Sequence, residues 1–174
     1  FVSAGLIAQC PQLLCVSSTG AGFDTVDVAA CTAAGVAVVN QAGGNADSVA
    51  EHTLALMLSV SRRMVESDRR MRREQGFTRE DVMGHEIRGK TMGLVGMGHI
   101  GTRVARLAQA FGMQVLAVDP FLSAEDIQKR GARSVRFSEL LAQSDVVSLH
   151  CPRDATTLKM MNADTFAQMK PGAL

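Results

Sequence analysis

One hexapeptide constrains this chain more than any other feature: Gly96-Met97-Gly98-His99-Ile100-Gly101. Alone, G-x-G-x-x-G is a weak signal, because glycines are common in turns. Here it directly follows an apolar run of strand length, Thr91 to Val95, and opens a helical pattern from His99 to Phe111. A strand that turns through glycines into a helix gathers free amides and the positive helix end at one point, which suits a pyrophosphate. Gly96 would permit the tight turn, Gly98 the approach of backbone to phosphate, and Gly101 the packing of helix on strand. The amides of His99 and Ile100 would face the phosphates.

Residues 102–118 separate the last glycine from Asp119, which ends a second strand, Gln114 to Val118. A carboxylate there can accept hydrogen bonds from both adenosine ribose hydroxyls, and it repels a 2′-phosphate. The predicted cofactor is therefore NAD rather than NADP, held in a Rossmann-type fold. His150-Cys151-Pro152 closes the strand predicted over Val146 to His150. Ligand crevices lie at the carboxyl ends of strands in open α/β sheets, so this tripeptide is expected to border the adenosine. A strand-end turn stopped by proline explains its spacing equally well. A catalytic Cys151–His150 pair is not expected, since neighbours along a strand face opposite ways.

The remaining pattern predicts α/β alternation: helices near Ala124 to Arg130, Ser138 to Gln143 and Ala163 to Met169, with a short strand near Ser134 to Arg136. Such alternation favours a doubly wound parallel sheet. Upstream, Leu13 to Ser17 and Val36 to Val39 read as strands around a helix from Val28 to Ala34, with Asp27 as N-cap. The β-branched run at Val36 suits a strand buried on both faces. We place a partial substrate domain at 1–44 and the NAD-binding domain at 45–174. Ser48 to Glu51 fits a capping box that opens a single helix over about 48 to 74; Gly76 to Lys90 is a polar connection. The chain starts without Met and stops at what reads as the start of a strand, so a segment of a longer polypeptide is expected.

Composition excludes more than it selects. Apolar residues make up 47% of the chain, and 18 basic against 17 acidic residues leave a net charge of +1. No global field favours nucleic acid or a membrane surface. Cys10, Cys15, Cys31 and Cys151 show no CxxC pair and no neighbouring histidines, so neither a zinc site nor a disulfide framework is expected. A soluble, cytoplasmic protein with reduced thiols follows.

Several motifs together resemble the D-isomer-specific 2-hydroxyacid dehydrogenases, a family that includes D-3-phosphoglycerate dehydrogenase and the glyoxylate/hydroxypyruvate reductases. They are Gly20-Ala21-Gly22-Phe23-Asp24 with Asp27, Asn45 to Glu51, Arg88 to Thr91 with the glycine loop, Asp119-Pro120, Asp145 to Pro152, and Asn162 to Leu174. The resemblance implies an oxidoreductase that moves a hydride between NAD and a small 2-hydroxy or 2-keto acid. It implies that amides of Gly20, Ala21 and Gly22 face the substrate carboxylate. It implies that Asp119 and Pro120, with His150, Cys151 and Pro152, line the adenosine pocket. Residues 48–90 resemble a linker helix and the arm that makes a homodimer. The arginines of this arm are then a solvated or subunit-facing surface rather than a nucleic-acid patch.

The family's catalytic Arg, Glu and His would lie beyond Leu174, so no catalytic residue is assigned here and the segment alone is expected to bind NAD without turnover. Ser18 stands where many phosphoglycerate-type members carry an Arg, which weakens that substrate assignment. The alternative reading is a non-catalytic NAD sensor like the C-terminal binding protein corepressors. Adenosylhomocysteine hydrolases are a more distant NAD-holding comparison.

Overall fold

The computed structural model describes residues 1–174, and these divide into two units, Phe1–Asp47 and Ser48–Leu174. In the first, helix α1 (Ala4–Ala8) precedes strand β1 (Cys15–Ser18), helix α2 (Val28–Ala33) and strand β2 (Ala37–Asn40). Asp27 caps α2 as the sequence predicts, its carboxylate accepting the Ala30 N–H at 2.9 Å. Strands β1 and β2 pair in parallel, from Cys15 against Ala37 to Ser18 against Asn40. Their core is small: Ile7, Val26, Cys31 and Val36 are buried, with Val16 and Val38 partly so.

The expectation of a strand buried on both faces is wrong here. Val39 is 48% exposed, because a two-stranded sheet buries its alternate side chains on one side only.

The second unit carries the larger core. Helix α3 (Ala46–Ser61) begins two residues before the predicted capping box, so Ser48 lies inside the helix and caps nothing. The single helix expected over 48–74 is also broken. Arg63 adopts a left-handed conformation (φ 50°) and starts a separate helix, α4 (Met64–Arg73). The cause is a long-range contact: the Ser61 carbonyl accepts the N–H of His85 at 2.7 Å, a return segment competing for the acceptor that a continuing helix would use. Along α4 the charges pair among themselves. Arg63 grips Glu66 with two hydrogen bonds of 2.6 and 2.7 Å, and Arg72 reaches Asp68 at 2.7 Å.

From Thr91 the alternation is regular. Strand β3 (Thr91–Val95), helix α5 (His99–Ala110), strand β4 (Gln114–Val118), helix α6 (Ala124–Lys129), strand β5 (Arg133–Ser134), helix α7 (Phe137–Gln143) and strand β6 (Val146–Leu149) follow in turn. Helix α8 (Ala163–Phe166) is shorter than predicted. The sheet is parallel, in the order β5-β4-β3-β6. Helix α5 shows why it packs: Gly101, Val104, Ala105 and Ala108 recur at helical spacing and are all buried. Met92, Leu94 and Ile127, each at most 1% exposed, fill the same core. The chain adds β4 and β5 on one side of β3 and β6 on the other, so the strand order reverses beside the glycine loop. Ligand crevices open at such reversals.

Candidate cofactor site

Three glycines of one loop have three different surroundings. A Cβ on Gly96, whose φ is +96°, would stand 2.8 Å from the His150 carbonyl carbon and oxygen. A Cβ on Gly101 would fall within 2.1 Å of the Gly96 carbonyl oxygen. Both glycines are therefore demanded by the packing of β3 against β6 and α5. Gly98 differs: its φ is −73°, and a Cβ there would meet nothing within 4 Å. No neighbour in the fold asks for a glycine at 98. Open space remains on that side, and Gly98 lines it.

That space is a cavity of about 510 Å³, within the range of small-molecule and cofactor pockets. Gly96, Gly98, Asp119, Pro120, His150, Cys151 and Pro152 all line it, so residues at the ends of three strands converge on one place. Sequence reasoning did not find its other walls. Val95, Val118, Phe137 and Met160 supply apolar surface, and Phe121, 87% exposed, stands at the rim. Apolar walls beside a carboxylate suit a purine joined to a ribose. Phe121 follows Asp119-Pro120 directly, so a strand-end aromatic was a usable signal; Phe137 and Met160 arrive from distant elements and left none.

The Asp119 carboxylate organises the loop. Its Oδ2 accepts the Met97 N–H at 2.8 Å and its Oδ1 the Phe121 N–H at 3.0 Å. A carboxylate has about four acceptor positions, so capacity for two ribose hydroxyls remains. His150 sits half-buried, its Nε2 2.9 Å from the Ser148 hydroxyl, and burial holds its imidazole below the usual value. Cys151 lies against Met160, sulfur to sulfur at 3.9 Å.

His99 and Ile100 are not cavity-lining side chains. His99 is exposed, and Ile100 packs its side chain against the core. What they offer is the first turn of α5, which no side chain caps; such orphan amides and the helix dipole attract anions. The donor set, the uncapped helix end and the empty side of Gly98 fit a dinucleotide pyrophosphate with an adenosine beside it.

The Gly20-Ala21-Gly22 loop belongs to the first unit. All three of its carbonyls are engaged: Gly20 by the Gln41 N–H (3.1 Å), Ala21 by the Asn40 side-chain amide (2.7 Å) and Gly22 by the Ser18 hydroxyl (2.7 Å). With the carbonyls tied back, the loop's own amides donate to no protein acceptor. His52 and His85 are exposed, on α3 and on the return segment. No cluster of metal-ligating side chains is present, and no helix is long and apolar enough to cross a membrane.

Comparison with known proteins agrees with this geometry. Residues 54–174 match the family described as D-isomer specific 2-hydroxyacid dehydrogenase, NAD binding domain. Over 99% of its length the chain is 40% identical to a D-3-phosphoglycerate dehydrogenase of Archaeoglobus fulgidus, of which it covers 33%. It is equally similar, at 40%, to an (S)-sulfolactate dehydrogenase of Chromohalobacter salexigens, of which it covers 56%. Among solved structures, a D-lactate dehydrogenase of Aquifex aeolicus complexed with NAD and lactic acid superposes with a TM-score of 0.87 at 32% identity; 97% of this chain and 50% of that one are covered. The chain thus spans from a third to about half of the length of these relatives.

Proposed function

Because the chain belongs to the D-isomer specific 2-hydroxyacid dehydrogenases, we propose that it holds the NAD of an enzyme that interconverts a small 2-hydroxy acid and its 2-keto acid. The observation that carries this reading is Gly98: a glycine that the fold does not require, facing a cavity beside an uncapped helix end. Bound there, NAD would supply the hydride acceptor of the reaction, and NADH the donor in the reverse direction. The protein's part is placement. The first-turn amides of α5 and the amide of Gly98 would hold the pyrophosphate. Asp119 would take the ribose hydroxyls and exclude a 2′-phosphate by charge. His150 to Pro152, with Phe121 and Phe137, would enclose the adenine and keep water from it.

The amides of Gly20, Ala21 and Gly22 would meet the substrate carboxylate; their engaged carbonyls support that role, since the anion would then see donors alone. The named relatives act on phosphoglycerate, sulfolactate and lactate, which share the 2-hydroxycarboxylate group and differ beyond it. We assign that shared group as the substrate class, with 3-phosphoglycerate, hydroxypyruvate and glyoxylate as specific candidates. None of the four histidines is assigned as acid/base. Residues 48–90 are proposed as a dimerisation arm of a cytoplasmic protein, supported by Leu56, Val60, Met64, Val65 and Met71, each more than half exposed.

The test is turnover: the polypeptide that contains this chain, mixed with NADH and a panel of 2-keto acids, should consume NADH with at least one. No oxidation with any of them, in a protein that binds NADH, would contradict the assignment and favour a sensor.

A further inference from the structure

The backbone of Met97, at the middle of the glycine loop, is held from both sides by charged side chains. Its N–H goes to Asp119, as above. Its carbonyl accepts from the Arg130 guanidinium at 2.5 Å and from the Thr102 hydroxyl at 3.1 Å. Arg130 is the C-cap of α6, where any exposed cation would complement the helix dipole. It is instead half-buried, and its side chain crosses to a loop 33 residues earlier in the chain. The Met97 side chain beneath is wholly buried, so the loop is pinned at this one residue, through the peptide on each side of it.

A trans peptide is planar, and its C=O and N–H point in opposite directions. Fixing the Met97 carbonyl on Arg130 therefore fixes the next N–H, that of Gly98, on the opposite side. The Gly98 amide donates to no protein acceptor, and Gly98 lines the cavity. A cation on the carbonyl also polarises that peptide and strengthens its N–H as a donor. We propose that Arg130 is a positioning residue for the cofactor's pyrophosphate, acting through the Met97–Gly98 peptide. The proposal rests on the NAD reading above and adds to it a residue outside the cavity wall.

Its test compares the 174-residue chain with Arg130→Met, which keeps length but no donor, and Arg130→Lys, which keeps the cation. ADP-ribose and adenosine serve as calorimetric probes, the first with the pyrophosphate and the second without it. Arg130→Met should weaken ADP-ribose about tenfold, as expected for one hydrogen bond from a charged group, and leave adenosine unchanged. Arg130→Lys should recover most of the loss. In the absence of any ligand, the Met97 amide should exchange hydrogen faster in Arg130→Met than in the wild type. Equal weakening of both probes, or unchanged exchange at Met97, would overturn the positioning role. Failure of the wild type to bind ADP-ribose while the exchange responds as expected would instead sink the NAD reading, and the positioning role with it.

Discussion

Two aspartates mark the two ends of one sheet, and their surroundings differ. Asp145 lies just before β6, at the end where the strands begin. It accepts the Thr91 N–H at 2.8 Å and is flanked by Lys170 at 3.2 Å and Lys90 at 4.0 Å. Burial works to raise its pKa, yet the Thr91 amide and the two lysines more than offset this and hold the carboxyl below its usual value. Asp119 lies where the strands end and accepts two backbone amides; no lysine or arginine neutralises it. One carboxylate is consumed by the fold. The other orders a loop and keeps acceptor capacity toward a cavity. Residue type at a strand end thus says little until its partners are counted.

The largest effects are expected at the glycines. Gly101→Ala puts a methyl into the Gly96 carbonyl and should cost about 3 kcal/mol or more of stability, the upper range for overpacking, read as a fall in the denaturant midpoint. Gly98→Ala has room and should leave that midpoint nearly unchanged while weakening NADH. Equal destabilisation by both would mean that Gly98, too, serves the fold.

Next come the aspartates. Asp145→Asn should lose about 1.5–3 kcal/mol of stability, the scale of a hydrogen bond to a charged group, with NADH affinity intact. A fall in NADH affinity to match would erase the distinction between the two ends.

The remaining effects are smaller. Phe121→Ala removes an exposed ring, so stability should shift by under about 0.5 kcal/mol, yet NADH should bind several-fold more weakly; unchanged binding would remove Phe121 from the adenine site. Acid should separate the ends as well. His150 has its folded pKa depressed from 6.5 by burial, so its neutral form is the one the fold favours. Its contribution is complete above pH 6.5 and is lost as pH falls through the lower folded value. Asp145 behaves in the same direction but below its unfolded value of 3.8. A His150→Gln variant should flatten the first phase of the stability-against-pH curve only.

Much of this was legible in the sequence because it is local. β3 and β4 fall on their predicted residues, Asp27 caps α2, and the glycine loop turns where its spacing says. What was not legible depends on partners remote in sequence. Ser61 ends α3 because His85 takes its carbonyl, and no propensity of residues 48–74 encodes that. The Val36 run looked doubly buried because β-branched strings usually are, while its two-stranded sheet covers one side. The site divides the same way: glycines, Asp119 and the His150 tripeptide were visible as motifs. Phe137, Met160 and Arg130 reach the loop and its cavity only through the packing of α6, α7 and the segment after β6.

The carboxylate at the strand-end cavity, and not its counterpart at the other end, is expected to recognise NAD. Calorimetric titration of NADH into the wild-type chain, Asp119→Asn and Asp145→Asn tests it in one series. The wild type and Asp145→Asn should bind with the same affinity. Asp119→Asn should bind about tenfold more weakly, the worth of losing a charged acceptor, with relaxed discrimination against NADPH. Unchanged NADH affinity in Asp119→Asn would contradict recognition by this carboxylate.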